Sequence, residues 1–353
     1  MAALDESADP LGTIFQRLIA NYGPISVMHY MGEANARYYD ARDPLGRGGD
    51  FITAPEISQM FGELIGLWLA DIWIRAGRQD GMHYVELGPG RGTLARDALR
   101  AMKRYGLEPT VHFVESSTAL KDVQLAAVPQ AQWHHDLSSL PMYGPLLFVA
   151  NEFLDALPVR QLVRVAEGWR ERMVDWQDGR FLPVAGNKPM DAAIPPSLRD
   201  SPEGTLVETS PAQSAVVYEI AGRLVDQGGV ALLIDYGHDH PRTGSTLQAL
   251  RNHTKVDPFS MPGEADLTCH VDFAAMANAA LSRGARHMGT VTQGRFLRDL
   301  GIETRAANLA AYAPEHADAL ESAKQRLIAE GQMGALFKVM GLAAPEWPDG
   351  AGF

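Results

Sequence analysis

The sequence predicts an α/β fold in which a mainly parallel sheet carries helices on both faces. Short apolar segments alternate with helical segments along most of the chain, and such alternation is typical of parallel sheets. Residues 146–150 and 230–234 are continuously apolar, as expected for strands that are buried on both faces. A third observation is a glycine-rich turn at residues 88–92, which separates an apolar segment from a helical one.

The elements follow in order along the chain. Helical spacing of apolar residues extends over 11–21, 56–77 and 94–105, with a glycine-rich segment at 47–55 between the first two. Strands are predicted at 82–87, 110–115, 131–134, 146–150 and 228–235, and a last one, antiparallel at one side of the sheet, at 334–342.

Two stretches depart from this alternation. Residues 160–185 alternate as strands do, and Glu167-Gly168 and Asp178-Gly179 within them are hairpin signals. Residues 271–330 are rich in alanine and are predicted to be largely helical. Both stretches are expected beside the rim of the active site.

These elements divide the 353 residues into a core and additions. We expect a mostly helical N-terminal region at 1–80, a β-hairpin insertion at 160–204 and a mainly helical insertion at 256–330. The ligand-binding α/β core is then built from 81–160, 225–255 and 331–345.

The turn after the first strand of the core has glycine at three alternate positions, Gly88, Gly90 and Gly92. Glycine reaches backbone angles barred to other residues and lets a ligand approach the main chain. The helix that follows offers unpaired N–H groups at its start. This layout is typical of a nucleotide-type cofactor site, although Thr93 replaces the third glycine of the dinucleotide pattern.

Glu86, two residues before the first glycine, distinguishes between cofactors. A pyrophosphate would lie near a fixed carboxylate, which is unfavourable, whereas a ligand that carries an ammonium or a sulfonium would be favoured. S-adenosylmethionine carries both and is the predicted cofactor. A nicotinamide cofactor is the alternative.

Acids also follow the next two strands. Glu115 can accept hydrogen bonds from ribose hydroxyls, and Asp136 is expected near an adenine amino group. Ser116 and Leu137, the residues that follow these acids, are included in the predicted cofactor site. Any single acid could be an ordinary polar residue at a strand end, and a nicotinamide cofactor would also use Glu115. Three acids at successive strand ends around the glycines favour the cofactor interpretation.

The segment 151–155 is the best-placed source of catalytic groups. It follows a buried strand and therefore emerges at the carboxyl edge of the sheet, where ligands bind in open α/β folds. Glu152 and Asp155 are the catalytic candidates, and Asn151 is a candidate cofactor contact. The alternatives are a contact within the loop for Glu152 and a helix or turn cap for Asp155.

Two further positions carry weaker signals. His270 lies near Asp272 in sequence, which fits either a general base or a satisfied local pair. Glu56 is a candidate cofactor contact, but Thr53, Pro55 and Glu56 also fit a plain capped helix start.

Composition excludes several classes of protein. A net charge of −12 argues against general nucleic-acid binding. The single cysteine, Cys269, allows neither an intrachain disulfide nor a cysteine zinc cluster. The longest apolar runs fall far short of a membrane span, and the first nine residues are acidic, whereas targeting segments are basic or poor in acids. We therefore expect a cytoplasmic bacterial protein.

Six segments together resemble the MidA-like class I S-adenosylmethionine methyltransferases, whose mitochondrial members are respiratory complex I assembly factors. The glycine loop is shared by many methyltransferases, but three of the other segments are far more specific. The six segments are residues 48–64, 86–93, 151–159, 233–237, 257–273 and 292–294. The resemblance implies a Rossmann-like sheet of seven strands and a protein arginine as methyl acceptor. In the mitochondrial members this acceptor lies on a complex I core subunit.

Transfer of a methyl group from a sulfonium needs no metal, but it needs alignment of the acceptor nitrogen. A guanidinium is a poor nucleophile because it is protonated, and carboxylates can both orient it and accept its proton. By the resemblance, the predicted function is a protein arginine methyltransferase. The alternatives are methylation of another side chain or a small molecule, a nicotinamide oxidoreductase, and a non-catalytic complex I assembly factor. A dimer is compatible with the sequence, which does not decide the oligomeric state.

Overall fold

A computed structural model describes residues 10–41 and 53–353 of the chain. Residues 47–52 of the predicted glycine-rich segment, and the acidic residues 1–9, lie outside this part. The described residues form two compact units. The hairpin unit contains residues 10–41, 156–212 and 242–269, and the sheet unit contains residues 53–155, 213–241 and 270–353.

The helices and strands have the following bounds. The α-helices are α1 Leu11–Tyr22, α2 Val27–Ala41, α3 Ala54–Ile57, α4 Gln59–Arg75, α5 Thr93–Lys103, α6 Lys121–Ala127, α7 Pro211–Gln227, α8 Phe273–Ser282, α9 Gln293–Asp299, α10 Ile302–Tyr312 and α11 Ala317–Ile328. The strands are β1 Ile25–Ser26, β2 His83–Leu87, β3 Thr110–Val114, β4 Gln132–His134, β5 Leu146–Asn151, β6 Arg160–Val165, β7 Gly168–Gln177, β8 Arg180–Pro189, β9 Leu206–Thr209, β10 Gly229–His238, β11 Gln248–Arg251, β12 Thr254–Val256, β13 Asp266–Thr268, β14 Val271–Asp272, β15 Arg286–Thr292 and β16 Phe337–Ala343.

The sheet unit is built on a sheet with the strand order β15-β16-β10-β5-β2-β3-β4, and β14 also pairs with the end of β10. The strands from β10 to β4 are parallel to one another, whereas β16 is antiparallel to both of its neighbours. Strands β5 and most of β10 are buried, as their continuous apolar sequences predict, and β2 is buried as well. The predicted α/β fold class is therefore confirmed, including the antiparallel strand near one side.

The stretch 271–330 is largely helical as predicted, through α8, α9, α10 and α11. It also contains a strand that was not predicted, because Arg286–Thr292 form β15, the outermost strand beside β16. Every residue of β15 is only partly buried, and the strand is interrupted by a register shift between His287 and Gly289. An edge strand of this kind lacks the apolar run that marks the central strands.

Helices α4 and α5 pack closely in the sheet unit. A Cβ atom added at Gly66 of α4 would lie 2.3 Å from the carbonyl oxygen of Ala98 in α5, so this contact requires glycine. The helix predicted over 56–77 is divided into α3 and α4 at Ser58, whose side chain accepts a hydrogen bond from the Met60 N–H. Among the described helices, none is long and apolar enough to cross a membrane.

The hairpin unit contains an antiparallel sheet of the order β1-β7-β6-β9, with β8 paired to β7. Both predicted hairpins are confirmed, because β6, β7 and β8 follow one another as antiparallel neighbours. Asp178 and Gly179 connect β7 to β8 with φ angles of 49° and 77°, as a two-residue hairpin turn requires. Strands β11, β12 and β13 form a separate small sheet in this unit.

Candidate cofactor and catalytic site

The glycine turn begins directly after β2. Gly88, Gly90 and Gly92 have φ angles of 59°, 54° and 75°, which other residues adopt only with strain. A Cβ atom at Gly88 would lie 2.8 Å from the ring of Phe153, and one at Gly92 would lie 3.2 Å from Ala127. The turn thus requires glycine for its conformation, as the sequence predicts, and Gly88 and Gly92 also have little room for a Cβ atom.

Gln124 of α6 links this turn to the next strand. Its side-chain amide donates to the Gly90 carbonyl at 2.8 Å and lies 3.4 Å from a carboxylate oxygen of Glu115. Its amide oxygen accepts from the Trp133 indole N–H at 2.8 Å. Gln124 is fully buried and is absent from the sequence-based prediction. One signal could have indicated its burial. Gln124 lies four residues from both Leu120 and Val128, which are buried, so all three share one face at helical spacing.

The acids after β3 and β4 lie at successive strand ends. Glu115 accepts a hydrogen bond from the Ser117 N–H at 2.8 Å. The carboxylate of Asp136 accepts from the Ser138 N–H at 2.9 Å, which caps a short 3₁₀ turn that begins at Leu137. Ser116 and Asp136 are exposed, whereas Glu115 and Leu137 are partly buried.

Glu86 lies in β2 with its side chain buried. The Tyr84 hydroxyl donates to its carboxylate at 2.6 Å. Burial nevertheless raises the pKa of Glu86 to about 8, since desolvation outweighs this hydrogen bond. The raised pKa favours the neutral form of Glu86, whereas a cationic ligand beside it would favour the charged form.

The loop 151–155 emerges from β5 at the same sheet edge as the glycine turn, because β5 and β2 are parallel neighbours with Leu87 opposite Ala150. Asn151 is buried, and its amide oxygen has no hydrogen-bond partner within residues 10–41 and 53–353. A buried polar atom without a partner is costly in a folded protein. An acceptor atom is thus available here for a bound ligand.

Glu152 has a φ angle of 51°, a conformation that costs a non-glycine residue about 1–3 kcal/mol. Its carboxylate accepts from the Ala54 N–H at 3.0 Å and from the Asn151 amide at 3.2 Å. Burial raises the pKa of Glu152 to about 7, and the charge of Asp155 adds to this effect. A carboxyl group with this pKa can exchange a proton near neutral pH.

Helix α3 contacts both halves of the site. Its first residue, Ala54, donates to Glu152, and the Thr93 hydroxyl at the start of α5 donates to the Glu56 carboxylate. Pro55 occupies the first turn of α3 as predicted, but the Thr53 side chain makes no capping hydrogen bond. Glu56 therefore lies next to the glycine turn.

His270 and Asp272 lie near the end of β10. The Asp272 carboxylate accepts from the Ala275 N–H at 3.0 Å and thereby caps α8. The His270 ring packs edge-on against Tyr236, with ring centroids 5.6 Å apart. Capping accounts for Asp272 without a role in catalysis.

A parallel sheet with a glycine turn after its central strand, and acids at the neighbouring strand ends, defines a nucleotide-type cofactor enzyme. Residues 64–291 match a family of S-adenosyl-L-methionine-dependent methyltransferases, and the chain belongs to this family. S-adenosylmethionine is accordingly its cofactor, as the sequence predicts.

Relatives extend over most of the chain. The Drosophila melanogaster homolog of the mitochondrial protein arginine methyltransferase NDUFAF7 is 37% identical, over 92% of this chain and 82% of its own length. The human mitochondrial protein arginine methyltransferase NDUFAF7 is 35% identical, over 81% of this chain and 72% of its own. A Burkholderia thailandensis protein crystallised with bound S-adenosyl-homocysteine superposes with a TM-score of 0.83 at 31% identity, covering 94% of this chain and 91% of that protein. The resemblance to the MidA-like methyltransferases is confirmed.

Proposed function

We propose that this protein transfers methyl groups from S-adenosylmethionine to an arginine side chain of a protein acceptor. The observation that carries the proposal is the partly buried carboxyl group of Glu152, with its pKa near 7, on the loop beside the glycine turn. The names of the relatives, protein arginine methyltransferases, support the choice of acceptor.

The residues around the glycine turn fit the cofactor. S-adenosylmethionine supplies a methyl group on a positively charged sulfur. Glu86 offers a buried carboxyl group to its cationic end, the glycines let it approach the backbone, and Asn151 offers the unpaired amide oxygen. We assign the remaining contacts to the residues at the neighbouring strand ends and at α3, namely Glu115, Ser116, Asp136, Leu137 and Glu56.

Glu152 and Asp155 act on the acceptor. Their carboxylates orient the guanidinium so that one nitrogen points at the methyl group. As the nitrogen–carbon bond forms and the sulfur–carbon bond breaks, a proton passes from that nitrogen to Glu152. Since Glu152 must be ionised to accept this proton, we expect the rate to rise with pH through about 7. His270 is a third candidate, as a second proton acceptor.

The acceptor and setting are further parts of the proposal. We infer a protein acceptor, and by the resemblance a respiratory complex I core subunit, with a role in complex I assembly in the bacterial cytoplasm. The N-terminal region 1–80 and the insertions at 160–204 and 256–330 support a large acceptor such as a protein, whereas the cofactor is assigned to the core at 81–160, 225–255 and 331–345.

Tritiated methyl labelling tests the proposal. A lysate from cells that lack this protein is incubated with labelled S-adenosylmethionine and either the wild-type protein or Glu152→Gln. We expect one labelled protein band with the wild type, methylarginine after its hydrolysis, and no label with the variant, which still binds S-adenosyl-homocysteine. Label on another residue type, or full activity of Glu152→Gln, would contradict the assignment.

A further inference from the structure

The loop that carries the two proposed catalytic acids is held in an unfavourable conformation. Glu152 has a left-handed φ angle of 51°, so its backbone needs support from its surroundings. Part of that support comes from the neighbouring strand, because the Glu152 N–H donates to the Ile234 carbonyl of β10 at 2.9 Å. Two buried side chains support the residues that follow.

Asp235 of β10 and Gln213 of α7 bind the polar backbone groups of the next residues. One carboxylate oxygen of Asp235 accepts from the Leu154 N–H at 3.0 Å and from the Asp155 N–H at 3.2 Å. The Gln213 side-chain amide donates to the Leu154 carbonyl at 2.8 Å. Side chains thus bind both the N–H and the C=O of Leu154. Asp235 and Gln213 are themselves buried.

We propose that Asp235 and Gln213 are positioning residues that fix the backbone of residues 152–155 and thereby aim the carboxylates of Glu152 and Asp155 at the acceptor. This inference rests on the proposed function. It gives a role to Asp235, which lies in one of the six segments that carry the family resemblance, 233–237. Asp235 is not part of the predicted site.

The choice of an acid at this position has an energetic cost that its hydrogen bonds must offset. Burial raises the pKa of Asp235 well above its ordinary value, and the charges of Asp155 and then Glu152 raise it further. A third carboxyl group beside two others is unfavourable in a buried place. Its second oxygen accepts from the Tyr236 N–H at 2.9 Å, so both of its oxygens bind backbone. An acceptor for three N–H groups is what this position supplies.

Four substitutions separate positioning from general stability. Asp235→Leu removes the acceptor at similar size, whereas Asp235→Asn keeps an amide oxygen that can accept from Leu154 and Asp155. Gln213→Met removes the donor to the Leu154 carbonyl. Gln293→Met is the matched control, because Gln293 is also fully buried and also donates to a backbone carbonyl, that of Leu327 at 2.9 Å.

The variants are compared by kcat, by KM for the acceptor, by calorimetric binding of S-adenosyl-homocysteine and by hydrogen exchange of the 154 and 155 amides. Misplacement of a reacting group by about 1 Å can reduce a rate about 100-fold. We therefore expect Asp235→Leu to lower kcat by about 100-fold, with cofactor affinity unchanged and fast exchange at both amides. Asp235→Asn should recover most of the lost rate, Gln213→Met should lower kcat with unchanged KM, and Gln293→Met should leave kcat unchanged.

Several results would overturn the inference. These are wild-type kcat or slow amide exchange in Asp235→Leu, a loss of kcat in Gln293→Met equal to that in Gln213→Met, or a parallel loss of cofactor affinity. If Asp235→Leu does not fold, Gln213→Met decides by kcat, by KM and by cofactor affinity. If the wild type methylates no arginine, the proposed function fails, whereas hydrogen exchange still decides whether the two side chains hold the loop.

Discussion

If Glu86 contacts the cofactor as we propose, its burial should make cofactor binding a proton-linked event. A pKa raised from 4.5 to about 8 means that ionising Glu86 costs about 5 kcal/mol more in the folded protein than in water. A cation bound beside it would lower this pKa and release the proton. If binding requires the ionised form, the affinity should fall about tenfold for each pH unit below 8.

The assay is titration calorimetry in two buffers that differ in ionisation enthalpy. At about pH 6.5 an α-amino group is already charged, since its pKa is about 7.7–8.0, so the released proton comes from the protein. We expect about one proton released per ligand by the wild type and almost none by Glu86→Gln, which should also bind more weakly. S-adenosyl-homocysteine has the ammonium but lacks the sulfonium, and comparing it with S-adenosylmethionine shows which cation Glu86 faces.

Glu152→Gln is the matched control, because Glu152 also has a raised pKa. Its proton release should equal that of the wild type if Glu86 is the source. Equal release by Glu86→Gln and the wild type, or no release by either, would refute the reasoning.

Three further predictions concern the glycine turn and the sheet. Gly90→Val should abolish S-adenosyl-homocysteine binding without unfolding the protein, because a branched residue at a φ of 54° is strained and fills the turn; calorimetry beside a circular dichroism melt tests this, and normal affinity would contradict it. Gln124→Met should weaken the same binding about tenfold, since the Gly90 carbonyl and the Trp133 indole lose their partner; unchanged affinity would remove Gln124 from the site. The pKa of His112 is lowered to about 4, chiefly by burial. Between about pH 6.5 and 4 the unfolded chain therefore binds a proton at His112 that the folded protein does not bind. The free energy of unfolding should fall by up to about 3 kcal/mol as the pH drops through that range. Urea unfolding across this range should show a shallower pH dependence for His112→Gln, and an equal slope would exclude His112.

The sequence predicts the central part of the sheet well because each central strand carries its own signal. Strands β5 and β10 contain apolar runs, and β2 and β3 are mainly apolar segments between turn residues, so local patterns suffice for them. The glycine turn and the loop after β5 are likewise local, so the position of Glu152 at the carboxyl edge follows from the sequence alone. Its role in catalysis remains a prediction.

The contacts missed by the prediction depend on pairing between distant segments. Gln124 reaches the glycine turn from α6, and Asp235 reaches Leu154 from β10, the strand beside β5. A row of histidines gives a further case. The His83 ring lies 2.9 Å from that of His112, which lies 2.9 Å from that of His134, measured between ring nitrogens. The register of three parallel strands creates this row, and no spacing along the chain encodes a register.

Strand β16 is inserted between β10 and β15 although it follows both in sequence. During synthesis one edge of β10 therefore lacks its partner β16 until roughly 100 further residues have been made, which takes about 5–20 s at ordinary translation rates. An open edge of this kind is a template for wrong pairing with other chains. The nascent protein is thus exposed to wrong pairing at this edge for a limited time. A chain truncated before residue 337 would keep the edge open permanently.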